Sequence, residues 1–448
     1  MSILRRFKHT VNAALMLFAA MAGAKSAWAL PAFAIREGVS CTVCHSNGSA
    51  PHLTEVGYLY RRAGFRFPSN IGNKEVDAAN MDLLKHFVAG LNIDYELATA
   101  YKSGSSPEAV VSNDFNVREA ELWPVVGSFF GNFAVWSELD MVPSTATIDP
   151  ATNTTNGNNA AVELSQADLR YVWGDQNFFY SIRAGLMAPE GYGASDQFLD
   201  DGSLPIMESL SAIHAPGTAN ELDTLAIPLG AMETPQVGFE FGINWPKKFL
   251  TLGMYNGFDG TNGLAKTPIG QSDMTPALMQ AQGRASKDFK VQYDQFVNEK
   301  FAYTAVYYNG RISLLDPSNG VAWLDSYQMG RLYGTFFAQP NKLDLLAGAG
   351  YGEYGYVVSG SNKKDGDFHN MGAFVGANYY VRPHLTLSAH ADYYEYDSTA
   401  AEVPVATGVS LFASLPYENN IWVFHLVHTE DDLNGRTNDF RAEWRFLY

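Results

Sequence analysis

Apolar and polar residues alternate from about residue 92 to the C-terminus, in short segments that turn-forming residues separate. This period of two predicts β-strands with one apolar and one polar face. The segments number sixteen, and an even number is typical of bacterial outer-membrane barrels. The predicted strands are 92–102, 113–128, 133–143, 160–173, 177–188, 236–245, 248–258, 287–297, 300–314, 325–338, 342–358, 367–381, 384–397, 404–415, 419–430 and 437–448.

The connections between these segments differ in length in a regular order. Tight turns alternate with longer links such as 144–159, 189–235 and 259–286. Short turns on the periplasmic side and long loops outside are typical of outer-membrane barrels. The predicted tight turns are 174–177, 245–248, 298–299, 339–342, 381–384 and 416–419.

The pattern predicts a mainly β fold, an antiparallel, porin-like β-barrel over residues 91–448 in the outer membrane of a Gram-negative bacterium. In the last strand the apolar positions from Phe440 to Tyr448 would face lipid, while Arg441, Glu443 and Arg445 would face the lumen. A large soluble all-β protein is the alternative, since each strand signal is weak. A sixteen-stranded barrel leaves an aqueous lumen that can hold a loop or a small domain.

Residues 1–29 have the three parts of a secretory signal peptide. Basic residues at positions 5, 6 and 8 precede an apolar stretch over 10–24, and Ala27-Trp28-Ala29 forms a small-x-small cleavage site. The apolar stretch is shorter than the about 20 residues that a membrane-spanning helix needs. We therefore expect export from the cytoplasm and a mature chain that begins at Leu30.

Residues 30–90 form the predicted second unit, a small α-helical module ahead of the barrel. Residues 53–62 and 76–88 are its two helix candidates, because their apolar residues recur at near-helical spacing. A unit of about 60 residues buries too little surface to be stable without help. A covalently held cofactor would supply the missing apolar core.

Cys41, Cys44 and His45 form C-x-x-C-H, the spacing that attaches a c-type haem. Two thiols on one helical turn can reach both vinyl groups of a porphyrin, and the histidine can be the proximal iron ligand. The chain has 2 cysteines in all. A redox dithiol, a local disulfide or half a zinc site are the alternatives for C-x-x-C alone, but the sequence has no second C-x-x-C or H-x-x-x-H. We expect one covalently bound haem c.

The sixth ligand of the haem iron has three candidates ahead of the barrel, Met81, His86 and His52. Met81 and His86 lie on the second helix candidate, which could fold over the haem, and His52 is close to the motif in sequence. Methionine would raise the reduction potential relative to histidine. Each of the three can also be a surface or packing residue, so the choice stays open.

The chain is acidic, with 47 Asp and Glu against 30 Lys and Arg and a formal net charge of −17. This charge disfavours nucleic acid as a partner and favours cations. Alternation places charged residues in the predicted lumen, although porin interiors are ordinarily polar and these residues need serve only solvation. They are Glu119, Glu121, His390, Asp392, His425 and Glu443.

The flanks of the motif resemble those of fused outer-membrane cytochrome–porins, a family typified by the iron oxidases of iron-oxidising bacteria. Residues 31–40, PAFAIREGVS, are similar to the family's P-x-F-A-R-x-x-x-V-x-C approach to the haem. After the motif, Pro51, Leu53 and Gly57 match its P-x-L-x-x-x-G run, and residues 63–66 fit the family's next positions. The order of signal peptide, monohaem module and barrel covers the whole chain.

The resemblance implies an outer-membrane electron conduit. It would oxidise extracellular Fe(II), or another donor, at a single c-type haem and pass the electron to a periplasmic c-type cytochrome or similar carrier. The chain departs from the family pattern at Ile35, where an arginine is expected and Arg36 is displaced by one. The segment 46–50, between the motif and Pro51, is also longer than in the family.

Two alternatives keep the same barrel, a diffusion porin with a cytochrome plug and outward electron transfer to an extracellular acceptor. One haem does not cross a hydrocarbon layer of about 30 Å, so the module would lie in the periplasm or, as we expect, inside the lumen. The third long loop, 189–235, is unusually apolar and would either narrow the pore or form a surface or oligomer contact. The pattern does not specify an oligomeric state.

Overall fold

The computed structural model describes an N-terminal segment of short helices and a closed antiparallel β-barrel. No helix among the described residues is long and apolar enough to cross a membrane. The described residues are 32–45, 53–72, 87–104, 106–129, 131–142, 146–149, 154–157, 161–187, 189, 236–256, 287–315, 322–340, 342–358, 364–382, 385–396, 405–417, 420–431 and 435–447.

Three helices precede the barrel: α1 (Ala32–Glu37), α2 (Cys41–Cys44) and α3 (Glu55–Arg62), followed by a 3₁₀ turn at Pro68–Asn70. The strands are β1 (Phe87–Gly104), β2 (Ser106–Phe129), β3 (Phe133–Val142), β4 (Ala146–Asp149), β5 (Thr154–Gly157), β6 (Ala161–Gly174), β7 (Phe179–Met187), β8 (Gln236–Trp245), β9 (Lys248–Tyr255), β10 (Asp288–Asn298), β11 (Phe301–Leu315), β12 (Ala322–Gln339), β13 (Leu343–Val358), β14 (Lys364–Arg382), β15 (Leu385–Tyr396), β16 (Val405–Tyr417), β17 (Asn420–Asp431) and β18 (Gly435–Leu447).

Every barrel strand pairs antiparallel with its neighbours, and β1 closes the ring by pairing with β18, Asn92 opposite Leu447. The ring order is β1-β2-β3-β6 and then β7 to β18 in sequence. The mainly β, antiparallel, porin-like barrel that the sequence predicts is confirmed. The predicted tight turns at 174–177, 245–248 and 298–299 each connect neighbouring strands of the ring.

Two local predictions are corrected. The link over 144–159 contains a two-stranded hairpin, β4–β5, which its Thr- and Asn-rich sequence did not reveal. The helix candidate 76–88 is wrong at its end, because Phe87 and Val88 belong to β1. Beta-branched and aromatic residues there continue the alternation of the strand and override the helical spacing. Residues 73–86 lie outside the described part of the chain, as do the predicted signal peptide 1–29 and residues 46–52.

The barrel wall is polar inside and apolar outside, the reverse of a water-soluble protein. In β10 the side chains of Asp288, Lys290, Gln292 and Asp294 are buried toward the lumen, and the intervening Phe289 is 51% exposed. His425 is buried and pairs across from Arg441, while the exposed Leu426 pairs across from Phe440. The predicted faces of the last strand are therefore confirmed at these positions, and the outer apolar face is the surface that lipid covers in such barrels.

Aromatic rings follow the outer wall at the short-turn end. Tyr171 stacks on Trp173 with 5.5 Å between ring centroids, and Trp173 stacks on Tyr180 at 5.3 Å. Phe178 contacts Trp245 in the next turn. Such a row of rings is the aromatic girdle that outer-membrane barrels place at a membrane interface.

Residues 32–45 and 53–72, which we call the plug segment, pack against the inner wall at the short-turn end. The backbone N–H of Gly72 donates to the Gly131 carbonyl in the β2–β3 turn, at 3.2 Å. Lys247, in the β8–β9 turn, forms an exposed ion pair with Glu55 at 3.8 Å. These contacts locate the segment at the mouth that the short turns surround.

Candidate functional site

The two cysteines of the C-x-x-C-H motif lie on α2, one helical turn that begins at Cys41 and ends at Cys44. His45 follows this turn and forms an isolated β-bridge with Leu53. The Ser40 hydroxyl oxygen accepts from the Thr42 N–H at 3.3 Å, at the start of this turn. The predicted placement of both cysteines on a single helical turn is confirmed. The side chain of Cys41 lies outside the described residues.

Thr54 links this turn to α3. Its N–H donates to the Cys44 carbonyl at 2.9 Å, and its hydroxyl donates to the Val43 carbonyl at 2.7 Å. The same hydroxyl oxygen accepts from the Gly57 N–H at 3.1 Å and so caps the N-terminus of α3. One threonine therefore fixes the orientation of the motif relative to the next helix.

Gly57 lies directly against the motif. A Cβ at this position would collide with the carbonyl oxygen of Cys44. The contact requires glycine because no side chain fits between the two backbones. Gly57 is one of the residues that carry the family resemblance, and its role here is to let α2 and α3 touch.

Side chains around the motif are partly exposed and could contact a bound apolar cofactor. Cys44 and His45 are half-buried, and the adjacent Val43 is 36% exposed. Val56, next to Gly57, is 40% exposed. Two thiols, an imidazole and these exposed apolar side chains are what a covalently held porphyrin needs for attachment, ligation and cover. The residues present therefore fit a c-type haem, and the candidate ligands His52, Met81 and His86 lie outside the described residues.

Arg36 holds α1 against α3. Its guanidinium pairs with Glu37 at 2.7 Å, donates to the Tyr60 hydroxyl and lies 5.2 Å from the ring centroid of Phe33. The Tyr60 hydroxyl in turn donates to Glu37 at 2.8 Å. Arg36 thus has a structural role in the plug segment although it is displaced by one from the family pattern.

A glycine ends α3 and turns the chain toward the wall. Gly64 has φ of +72°, and the Phe65 N–H donates to the Tyr60 carbonyl at 3.0 Å while the Gly64 N–H donates to the Arg61 carbonyl at 3.1 Å. This is the Schellman arrangement, in which a left-handed residue satisfies the last helix carbonyls. A Cβ at Gly64 would lie 2.9 Å from the Cβ of Ala134, so the turn also needs glycine for close approach to the wall.

Three apolar contacts join the plug segment to the wall. Tyr58 is buried against β9 and β10, Ala63 against β6 and β7, and Phe65 against β2 and β3. Phe65 stacks on Trp136 of β3 with 5.4 Å between centroids. The wall residues in these contacts are Phe249, Phe296, Ala302, Val172, Phe179, Val126 and Ala134.

A buried hydrogen bond accompanies the first of these contacts. Tyr58 is 1% exposed, and its hydroxyl donates to Oδ2 of Asp294 at 2.7 Å. Burial, reinforced by the negative charge of Asp294, raises the pKa of Tyr58 well above its usual value. The phenol is therefore protonated at neutral pH and acts as the donor in this bond. Asp294 also accepts from Thr304 at 2.7 Å, so the carboxylate is held by the wall as well.

Arginines make the remaining polar contacts between the plug segment and the wall. Arg62 donates to Asn244 Oδ1 at 2.9 Å and to Thr251 Oγ1 at 2.7 Å. Arg66 donates to the carbonyls of Gly131 and Phe133. From the wall side, Arg170 donates to the Arg61 carbonyl at 2.6 Å, which satisfies one carbonyl in the last turn of α3.

Five cationic side chains line a cleft between α3 and the wall, together with Glu240 and neutral residues. The cations are Arg61 and Arg62 of the plug segment and Arg170, Arg183 and Lys290 of the wall. Arg183 pairs with Asp168 at 2.8 Å and with Glu240 at 3.5 Å, and Lys290 pairs with Glu240 at 2.5 Å. The sequence analysis missed this cluster, because its members come from strands and a helix far apart in the chain.

Three of the residues predicted to face the lumen are described, and they lie close together on one part of the wall. His390, Asp392 and His425 are buried in the lumen, and the Phe412 ring lies between the two histidines, with centroids at 5.5 and 4.9 Å. They lie on β15 and β17, away from the strands that contact α3. The side chains of Glu119, Glu121 and Glu443 lie outside the described residues.

The fold is that of outer-membrane porins. An anion-selective porin from Comamonas acidovorans superposes on this chain with a TM-score of 0.52 and 10% sequence identity. The match covers 81% of this chain and 99% of the porin. OmpT of Vibrio cholerae and the channel DcaP of Acinetobacter baumannii also match, with TM-scores of 0.46 and 0.43 and identities of 10% and 12%. Each covers 81% of this chain, and this chain covers 100% and 96% of theirs.

The likeness to these solved structures is one of fold alone, since the sequences are so different. No protein-family profile and no curated protein matches the sequence.

Proposed function

We propose that the protein is an outer-membrane, porin-type barrel of sixteen strands whose periplasmic mouth holds a plug carrying one covalent haem c. The observation that supports this is the C-x-x-C-H turn, bonded through Thr54 to a helix that packs inside the lumen. Cys41 and Cys44 would hold the haem through thioethers, and His45 would ligate its iron. The bound haem would supply one-electron chemistry.

The function of such a haem plug would be electron transfer across the outer membrane. A haem inside the lumen shortens the path across a hydrocarbon layer of about 30 Å, which a haem in the periplasm would not. The resemblance to cytochrome–porins suggests extracellular Fe(II) as the donor and a periplasmic c-type cytochrome as the acceptor. The protein's own residues hold the motif, exclude bulk water on the wall side of α3 and tie the plug to the rim.

Reduction of the purified protein by Fe²⁺ tests this proposal. The haem α-band should appear when the haem-loaded protein meets Fe²⁺, and the variant with Cys41→Ser and Cys44→Ser should lose covalent haem on a denaturing gel. Val43→Ala, on the same turn, is the control that should keep it. A haem that Fe²⁺ does not reduce at the working pH of the cell would refute the iron-oxidase function, although the plug could still carry haem.

A diffusion porin is the second candidate, and the fold of the barrel favours it. Anion-selective porins share this fold, and the described contacts of the plug segment fall on part of the ring. Conductance in planar bilayers separates the two functions. An electron conduit should conduct ions poorly in its wild-type form, whereas a diffusion porin should show a large, steadily open conductance.

A further inference from the structure

The cationic cleft between α3 and strands β6 to β10 is unusual for a chain with a net charge of −17. On the wall, the three cations Arg170, Arg183 and Lys290 meet two carboxylates, Asp168 and Glu240. Those charges nearly balance. The plug segment then adds Arg62, so the excess positive charge increases when α3 docks.

The bonds of Arg62 show where this excess lies. Its described hydrogen-bond partners, Asn244 and Thr251, are both neutral. Its Nη2 atom is buried and has no hydrogen-bond partner among the described residues, and the same is true of Nε of Arg183. A buried cationic N–H without a hydrogen-bond acceptor is costly, and a bound anion that accepts from it removes that cost.

We propose that this cleft binds a small tetrahedral oxyanion of the phosphate or sulfate class. Arginine forks match the oxygens of such anions and bind them through charge-assisted hydrogen bonds. The hydroxyl of Ser181 and the amide of Gln292 also line the cleft and can donate to a third or fourth oxygen. The bound anion bridges α3 and the wall, and so holds the plug segment in place.

This site is independent of the haem. The cationic residues lie at the C-terminal end of α3, and the motif packs against its N-terminal end at Gly57. A protein without haem would still have the anion site, and a protein without the anion site would still have an unchanged motif.

Calorimetric titration of inorganic phosphate into the full-length protein in detergent tests the proposal, with chloride holding the ionic strength constant. We expect saturable binding, one anion per chain, with a Kd of about 1 mM or tighter. Ser181→Asp places a carboxylate in the cleft without touching a plug bond, and it should abolish binding. Ser410→Asp is the matched control, because both serines are 8% exposed in the lumen and Ser410 lies on β16.

A second pair of variants changes the cation itself. Arg62→Gln should weaken phosphate binding by about tenfold or more, Arg62→Lys should retain part of it, and Arg331→Gln on β12 should leave it unchanged. Heat-modifiable migration on a gel verifies that each barrel is folded. The proposal is overturned if phosphate gives no saturable heat, or if Ser410→Asp abolishes binding as Ser181→Asp does, which would indicate only diffuse lumen charge.

Discussion

Some lumen side chains of the first arc, strands β2 to β11, bond to the plug segment, among them Asn244, Thr251 and Asp294. On the second arc, strands β13 to β18, the described bonds of buried lumen side chains join wall residues, as between Ser388 and Asn378. Asp294 of β10 accepts from Tyr58 of the plug segment at 2.7 Å. Asp344 of β13 accepts from Tyr380 of the neighbouring strand at 2.6 Å. The same chemical pair thus serves docking on one arc and wall stability on the other.

The apolar content of the two arcs differs in the same way. The first arc presents small or aromatic side chains that receive the plug segment, such as Ala134, Ala302 and Phe249. On the second arc Phe412 contacts His390 and His425 instead. The lumen wall is otherwise polar, and it has apolar side chains where the plug segment packs against it. The position of these side chains identifies the docking face.

The largest effect should come from Phe65→Ala. Truncating a buried aromatic costs about 3–5 kcal/mol, and here the lost contacts include the stack on Trp136. The plug segment should leave the wall and bilayer conductance should rise. Phe412→Ala removes a matched ring from the second arc and should lower the barrel's thermal stability without raising conductance. Equal conductance gains in both variants would contradict the distinction between the arcs.

Gly57→Ala should have an intermediate effect. Forcing a methyl group against the Cys44 carbonyl oxygen displaces α2 from α3, and overpacking of this kind costs about 1–3 kcal/mol. We expect less covalent haem per chain, measured by haem absorbance against protein. Gly330→Ala on β12 is the control, since its nearest atom to an added Cβ is 4.0 Å away. Unchanged haem content in Gly57→Ala would show that the contact is dispensable.

Tyr58→Phe and Tyr380→Phe should have the smallest effects and the sharpest contrast. Each removes one hydroxyl donor from a buried carboxylate, a loss of about 1.5–3 kcal/mol when the acceptor is charged. Tyr58→Phe should be near the low end, because Thr304 and Gln292 still donate to Asp294. It should weaken plug docking, read as conductance, while Tyr380→Phe should lower the melting temperature of the barrel. The same readout for both variants would contradict this assignment.

Local patterns predicted much of the molecule and missed the features that depend on distant residues. Alternation located the strands because each wall strand has one lipid face, and the helix at residues 53–62 was found through its apolar spacing and begins after the Thr54 cap. The hairpin β4–β5 was missed because each of its strands has only 4 residues and β5, TTNG, has no large apolar side chain. The Tyr58–Asp294 bond joins residues 236 positions apart, and no local signal indicates such a pair.

The haem motif shows the same limit. The spacing of Cys41, Cys44 and His45 predicts haem attachment, and this stays a prediction. It does not indicate the roles of Gly57 and Thr54, which hold the turn in place. The cationic cleft assembles only when α3 reaches strands β6 to β10. Its residues carry no shared motif, so only the folded arrangement reveals it.

The plug segment and the barrel are one chain, and β1 begins at Phe87, shortly after the segment ends. Docking is therefore an intramolecular equilibrium, governed by an effective concentration in the millimolar range for short linkers and not by diffusion. A change of about 1.4 kcal/mol in the free energy of docking changes the ratio of docked to undocked plug segment tenfold. The covalent connection to β1 keeps an undocked segment available to rebind. A variant that weakens the docking contacts should therefore release the plug segment from the wall while the chain still holds it beside the barrel.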